Sequence, residues 1–73
     1  MKVLGKNTAE FFAVVSSIIE KHLTQGAPVT YSTRVSSGEK YLSVTAFFDA
    51  QNQVQLTAIY EELNGHEAVL MAL

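Results

Sequence analysis

The alternation of apolar and polar residues is clearest between residues 29 and 48, where it predicts a β-hairpin. Two runs rich in Val, Thr, Tyr and Phe flank the segment Ser37–Lys40. Glycine suits the first central position of a type II′ turn, so we place Gly38 and Glu39 at the tip. Side chains alternate between the two faces of a strand, and this register collects the apolar ones on one face, which helices should cover. The pairs expected on that face are Val35 with Leu42, Thr33 with Val44, Tyr31 with Ala46 and Val29 with Phe48; those on the mostly polar face are Ser36 with Tyr41, Arg34 with Ser43, Ser32 with Thr45 and Thr30 with Phe47.

Apolar residues at helical spacing predict a first helix after residue 7. Asn7 is a good N-cap, and Glu10, three residues later, completes a capping box. Gly26 and Pro28 follow the helix as stop signals. Its apolar stripe consists of Phe11, Phe12, Val15, Ile18, Ile19 and His22.

A second helix is predicted over Ala50 to Asn64, with Asp49 as its N-cap. The Asn64-Gly65 dipeptide supplies a residue of left-handed conformation, which commonly ends a helix. Val54 falls on the opposite side from the apolar stripe and should be exposed. That stripe consists of Leu56, Ile59, Tyr60 and Leu63.

Two short strands complete the pattern, one over Met1 to Gly5 and one over His66 to Leu73. Val3 should face the core from the first strand. In the last strand Val69, Met71 and Leu73 should face the core side. The residues expected on the other side of these two strands are Lys2, Leu4, Ala68, Leu70 and Ala72.

The order strand, helix, strand, strand, helix, strand predicts a ferredoxin-like α+β sandwich. Each strand–helix–strand unit crosses over right-handed, so both helices lie on one face of a four-stranded antiparallel sheet. The first and third strands are central, and the length suits one domain over residues 1–73. The predicted core is Phe11, Val15, Ile18, Leu42, Val44, Phe48, Leu56, Ile59, Leu63, Val69 and Met71.

Composition narrows the classes of function. Seven acidic and five basic residues give a net charge of −2, which does not favour nucleic acid or an anionic membrane as a partner. There is no cysteine, so disulfides, thiolate metal sites and thiol catalysis are excluded. No apolar run approaches the roughly 20 residues of a membrane span, and the first residues lack a signal-peptide pattern. We therefore expect a cytoplasmic protein without metal or cofactor.

Few residues suggest catalysis. Glu61 and Glu62 are neighbours on a helix and point about 100° apart, so they do not converge as an acid–base pair. His22 and His66 lie at the ends of different elements and lack a helical partner for metal binding. These four residues are better explained as solvated or structural.

Two specific activities of this fold class are disfavoured. Acylphosphatases hold phosphate with an arginine in the first loop, whereas Arg34, the only arginine, lies on the hairpin. An RNA-binding sheet requires exposed aromatic residues on both central strands, and the first strand offers only Lys2 and Leu4.

Three segments of the chain resemble the YbeD-like family of small bacterial proteins of unknown function. They are Lys2–Lys6 before a helix, Ser36–Gly38 followed by Tyr41–Val44, and Tyr60–Leu63 leading to Val69–Leu73. The resemblance covers nearly the whole chain and implies a ferredoxin-like fold similar to ACT-type regulatory domains, which bind amino acids in metabolic enzymes. It also implies a link to lipoate metabolism, suggested for the family by gene neighbourhood. We expect the leader segment that precedes the first strand in this family to be missing.

The turn after the first strand is one candidate site. Backbone N–H groups at a helix N-terminus can hold an anion or a carboxylate, although a well-capped turn explains the same residues. The resemblance to ACT-type domains favours a ligand, because their effectors bind near this loop. The candidate ligand-binding residues are Gly5, Lys6 and Asn7.

The helix-free face of the sheet is the other candidate site. A contiguous exposed apolar strip usually marks an interface, although polar neighbours such as Ser32 and Arg34 dilute this one. The strip is expected to contain Leu4, Tyr41, Phe47, Ala68, Leu70 and Ala72, with Leu4, Tyr41, Phe47 and Leu70 as the interface residues.

These features predict a non-enzymatic regulatory or interaction module that binds a protein partner, a second copy of itself or a small metabolite. The alternative is a small enzyme that acts on an anionic substrate through Lys6 and its neighbours. The two differ in whether a second titratable or nucleophilic group converges on Lys6.

Overall fold

The computed structural model describes residues 1–73 and contains four strands and two helices. In chain order they are β1 (Lys2–Lys6), α1 (Ala9–His22), β2 (Thr30–Val35), β3 (Tyr41–Phe47), α2 (Gln53–Asn64) and β4 (Val69–Ala72). All strand pairs are antiparallel, and the spatial order is β2-β3-β1-β4. This is the predicted ferredoxin-like α+β fold, with β1 and β3 central and β2 and β4 at the edges.

The hairpin of β2 and β3 has the predicted register. Its pairs run from Thr30 with Phe47 to Val35 with Leu42. The outermost predicted pair, of residues 29 and 48, lies beyond the ends of both strands. A slip by one residue would turn every side chain to the other face, which is why the alternation of polarity specified the pairing.

The tip of the hairpin differs from the predicted type II′ turn. Gly38 has the expected positive φ of 84°, but Glu39 is also left-handed, with a φ of 59°. The Glu39 N–H donates to the Ser36 carbonyl at 2.9 Å, so the turn is centred on Ser37 and Gly38. The Ser36 hydroxyl meanwhile accepts the Tyr41 N–H at 3.0 Å. The loop therefore differs from the expected two-residue turn, and a local hydrogen bond from the backbone to the Ser36 side chain stabilises it.

Both helices begin later than predicted. The N-cap of α1 is Thr8, whose hydroxyl accepts the N–H three residues further on at 3.3 Å. The N-cap of α2 is Asn52, whose side-chain oxygen does the same at 2.8 Å. The predicted caps Asn7 and Asp49 precede them by one and three residues. Thr and Asn cap nearly as well as Asp, so the local sequence did not distinguish these positions.

The end of α2 lacks the predicted left-handed residue. Gly65 has a φ of −88° and donates its N–H to the Glu61 carbonyl at 3.0 Å. His66 then turns the chain, because its Nδ1 accepts the Ala68 N–H at 3.0 Å and its carbonyl accepts the Val69 N–H at 3.1 Å. A histidine side chain therefore shapes this connection, and β4 begins only after it.

The core lies between the helices and one face of the sheet. It contains no buried polar side chain. Of the predicted core residues, Phe48 and Leu56 are only half-buried, and Met71 is exposed. The buried residues are Val3, Phe11, Val15, Ile18, Ile19, Leu42, Val44, Ala46, Ile59, Leu63, Val69 and Ala72. Neither helix has the length and apolar character needed to span a lipid bilayer.

A β-bulge in β4 explains why Met71 is exposed. Two consecutive residues of β1 pair with Met71 and Val69, which leaves Leu70 between them without a partner. The extra residue shifts the alternation by one position. Val69 and Ala72 are therefore buried, while Leu70 and Met71 are exposed. The predicted facing of Met71, Ala72 and Leu73 was wrong for this reason, and Leu73 is 65% exposed. The predicted facing of Ala68 was also wrong, because Ala68 lies in the turn before β4 and packs against the core.

The edge strand β2 extends beyond the cover of the helices. Thr33 and Val35 are exposed, so the prediction that the whole apolar face of the hairpin meets helices was wrong for them. Tyr31 ties this strand to α1. Its ring meets Phe12 edge-on at 5.2 Å, and its hydroxyl donates to the Glu20 carboxylate at 2.8 Å. Burial, the hydrogen bond and the negative charge of Glu20 together raise the pKa of Tyr31, so the phenol remains a donor.

Truncation of Leu63 to Ala should destabilise the fold by about 2–5 kcal/mol, because Leu63 is fully buried in the core and the change leaves a cavity. The measurement is urea denaturation followed by circular dichroism. Val54→Ala is the matched control on the same helix, since Val54 is 80% exposed, and it should change the free energy of unfolding by less than about 0.5 kcal/mol. Equal effects of the two changes would contradict the assigned faces of α2.

Candidate functional site

Gly5, the first of the three predicted ligand residues, has a structural role. It is buried in β1, and the ring of Phe11 lies directly on it. A Cβ atom at this position would lie 2.3 Å from Cε1 of Phe11, far inside van der Waals contact. The missing side chain therefore allows α1 to approach the sheet.

The polar groups of the next turn are bound to the hairpin tip. The Asn7 N–H donates to the Lys40 carbonyl at 3.0 Å, and the Asn7 side-chain amide donates to the Glu39 carbonyl at 3.1 Å. The Thr8 N–H donates to the Lys6 carbonyl at 2.8 Å. Donors that were expected to hold an anion thus already have partners in the protein, and the anion-binding prediction now depends mainly on the Lys6 ammonium.

Lys6 is exposed and forms no ion pair. Its direct neighbour across the strands is Tyr41. Residues 6 and 41 lie side by side on the helix-free side of the sheet, which we call the open face. The loop site and the sheet site predicted from the sequence are therefore adjacent.

An apolar cluster occupies the open face on β1, β3 and β4. Leu4 pairs with Met71 and lies diagonally from Tyr41, at distances over which cross-strand side chains interact. Leu73 exchanges two backbone hydrogen bonds with Lys2, of 2.8 and 3.2 Å, and so continues the cluster along the edge. We define the apolar cluster as Leu4, Tyr41, Leu70, Met71 and Leu73, whose exposed fractions are 37, 43, 55, 47 and 65%.

The structure brings together three of the four predicted interface residues. Leu4, Tyr41 and Leu70 belong to the apolar cluster, whereas Phe47 lies at the far end of β3 beside Thr30. Met71 was missed because the bulge is invisible in a segment where every residue is apolar. The exposed position of Phe47 agrees with the alternation of β3, but Thr45 separates it from the rest.

Phe47 instead borders a separate open cleft of about 640 Å³ at the other end of the sheet. The cleft is mainly apolar, and its polar groups include the Asp49 carboxylate and the Tyr60 hydroxyl. Neither of these groups takes part in an ion pair. The sequence signals for this cleft were weak, since its walls come from Met1, from the start of β2, from the loop before α2 and from α2 itself.

A small polar cluster joins the two helices at their exposed side. Lys21 Nζ donates to Glu62 Oε2, and His22 Nε2 lies 2.8 Å from Glu62 Oε1. Gln55 donates its side-chain amide to the His22 carbonyl at 2.7 Å. The Lys21 ammonium, followed by the His22 ring, holds the pKa of the Glu62 carboxyl below its usual value.

Metal-binding residues are not clustered. No group of three His, Cys, Asp or Glu side chains lies close enough together to hold an ion. His22 contacts Glu62, and His66 shapes the turn before β4. Each histidine therefore has a structural partner.

Residues 1–73 match the model of the DUF493 family, whose description is "Protein of unknown function". The chain belongs to this family. A UPF0250 protein of Nitrosomonas europaea is 32% identical over the whole chain, which spans 84% of that protein. UPF0250 proteins of Paraburkholderia phytofirmans and Leptothrix cholodnii are 30% and 32% identical, and the chain spans 82% and 80% of them. The resemblance to small bacterial proteins of unknown function is thus confirmed. No solved structure matches the chain.

Gly5→Ala should destabilise the protein by about 1–3 kcal/mol, because the new methyl group would overlap the Phe11 ring. In a Phe11→Leu background, Gly5→Ala should reduce the free energy of unfolding by clearly less, since the smaller side chain can move aside. Thermal and urea denaturation of the four proteins in this cycle measure the difference. An equal cost in both backgrounds would show that Gly5 is needed for another reason.

Glu62→Gln should lower stability near neutral pH and have little effect in acid. The folded pKa of Glu62 is depressed from its ordinary value of 4.5, so its ion pairs stabilise the fold above that pH. This stabilisation is lost as the pH falls through the folded pKa. Urea midpoints near neutral pH and at a series of acidic pH values that extends below the folded pKa measure the effect. Glu61→Gln on the same helix is the control, and a difference from wild type that persists in acid would contradict the assignment.

Proposed function

We propose that this protein is a cytoplasmic, non-enzymatic interaction or regulatory module that binds a partner through the apolar cluster of the open face. The single observation that supports this function is the exposure of five apolar side chains together on one side of the sheet. Contiguous apolar patches of this kind usually mark protein interfaces.

The energetic reason is the removal of this surface from water. Full burial of an exposed Leu or Met side chain contributes roughly 1.5–3 kcal/mol. Leu70, Met71 and Leu73 are each exposed by about half, so a partner that covers all three would gain about half of that range from each. These residues lie on an edge strand, where both the face and the free edge are accessible to a partner.

A small anionic metabolite near Lys6 fits the same module as a regulator. Lys6 stands beside Tyr41, a member of the apolar cluster, so a ligand held by the ammonium would contact the docking surface. This arrangement favours an effect of the metabolite on partner binding.

The alternative of a small enzyme has less support. A catalytic role for Lys6 requires a second reactive group close to it, and its cross-strand neighbour is the exposed phenol of Tyr41. Neither histidine is among the partners of Lys6, and no carboxylate pairs with it.

A photo-crosslinking phenylalanine analogue at position 70 should form adducts with the partner in the native host, because Leu70 is exposed within the apolar cluster. The same analogue at position 54 is the matched control, since Val54 is also an exposed apolar residue but lies on the helix layer. Mass spectrometry of the adducts is the measurement. Leu4→Glu as a second change should abolish adducts at position 70 without unfolding the protein.

Sedimentation velocity at rising protein concentration distinguishes association with a second copy of the chain from binding of a different partner.

Equal adduct yields at positions 70 and 54, or yields at position 70 that survive Leu4→Glu, would contradict docking on the open face. A strictly monomeric protein that forms no adduct at position 70 would contradict the proposed function altogether.

A further inference from the structure

The net charge of −2 hides a strong separation of charge between the two sides of the molecule. Acidic residues lie on the helices or in the connections between elements, and none occupies an open-face position of a strand. Those on the helices are Glu10, Glu20, Glu61 and Glu62, and those in the connections are Glu39, Asp49 and Glu67.

The open face, by contrast, carries three of the five basic residues. Lys2 and Lys6 lie on either side of Leu4 along β1, about 13 Å apart at the usual rise of a strand. Arg34 pairs with Ser43, which in turn pairs with Leu4, so Arg34 lies two strands from Leu4, at about 10 Å. The three cations therefore surround Leu4 at the border of the apolar cluster.

These cations are not used within the fold. Lys2, Lys6 and Arg34 form no ion pair, whereas Lys21 on the helix layer pairs with Glu62. Lys2 and Arg34 also line a shallow depression of about 350 Å³ on the open face, together with Leu4 and Tyr41. Two unpaired cations thus border a concave, mainly polar surface that adjoins Leu4 and Tyr41 of the apolar cluster.

We propose that the open face docks a partner protein whose contact segment is acidic, with carboxylates placed around a few apolar side chains. This inference rests on the proposed function and specifies its partner. The apolar side chains of the segment would cover the apolar cluster, and its carboxylates would reach Lys2, Lys6 and Arg34. Complementary charge of this kind selects partners and accelerates their encounter.

A second copy of the chain fits this face poorly. In a two-fold symmetric pair the same patch enters the interface twice, so the six cations of the two copies would be collected in one interface whose strand positions hold no acidic side chain. Like charges brought together in an interface oppose association. The charge pattern therefore favours a different, acidic protein over a symmetric dimer.

Nucleic acid also fits poorly, although it is an anion. Recognition of single strands depends on stacking of bases on exposed aromatic rings, and the central strand β1 offers Leu4 in the place where a ring would be needed. The acidic helix layer would moreover repel a long polyanion. A short acidic protein segment avoids this repulsion because its charge is local.

Fluorescence anisotropy with labelled synthetic probes tests the inference on the whole protein. One probe is an amphipathic peptide of Leu and Glu, its matched control has Lys in place of each Glu, and a third probe is oligouridylate. The Glu peptide should bind at least about tenfold more tightly than the Lys peptide or oligouridylate. Its affinity should fall as added salt screens the charges.

Variants locate the binding. The double change Lys2→Gln with Arg34→Gln should weaken binding of the Glu peptide about tenfold, whereas Lys21→Gln, which removes one positive charge from the helix layer, should leave it unchanged. Circular dichroism of each variant shows whether it is folded. Weaker binding of the double variant with an unchanged spectrum supports the inference.

The inference is overturned if the Lys peptide or oligouridylate binds as tightly as the Glu peptide, or if the Glu peptide does not bind. It is also overturned if the double variant binds like wild type. Adducts at position 70 that disappear with Leu4→Glu would in each case still support docking on the open face, so the two proposals fail separately.

Discussion

The contact between Gly5 and the ring of Phe11 sets the distance between α1 and the sheet. Because Gly5 has no Cβ, the ring lies directly on β1 and the helix comes close enough to bury Val15 and Ile19. The helix layer then covers one side of the sheet, apart from the end of β2. Both helices lie on this side of the sheet, so neither of them covers the other side. The open face is bare because both strand–helix–strand units cross over on the same side of the sheet.

The same turn joins the two regions that the sequence had marked for function. Asn7 is bound to the backbone of the hairpin tip, and Lys6 stands next to Tyr41. The beginning of α1, the tip of the hairpin and the open face therefore form one connected region at this end of the sheet. A molecule bound at any of these places would contact groups that position the others.

Much of this architecture followed from the sequence, and the failures have local causes. The hairpin register could be predicted because polar and apolar residues alternate in both strands. The positions of Lys2 and Arg34 on the open face follow from the same alternation. The helix starts were missed because neighbouring residues are equally good caps. The facing of β4 was missed because Val69 to Leu73 are all apolar, so no polar residue marks the outer side.

The bulge in β4 has one more consequence. If Leu70 were deleted, Val69 and Met71 would become consecutive and would match consecutive residues of β1 in an unbroken ladder. Val69 and Ala72 would still face inward. The strand thus carries one residue more than its hydrogen bonding requires, and that residue contributes neither to the core nor to the pairing. Leu70 is a position at which the surface can diverge between relatives while the architecture is inherited unchanged.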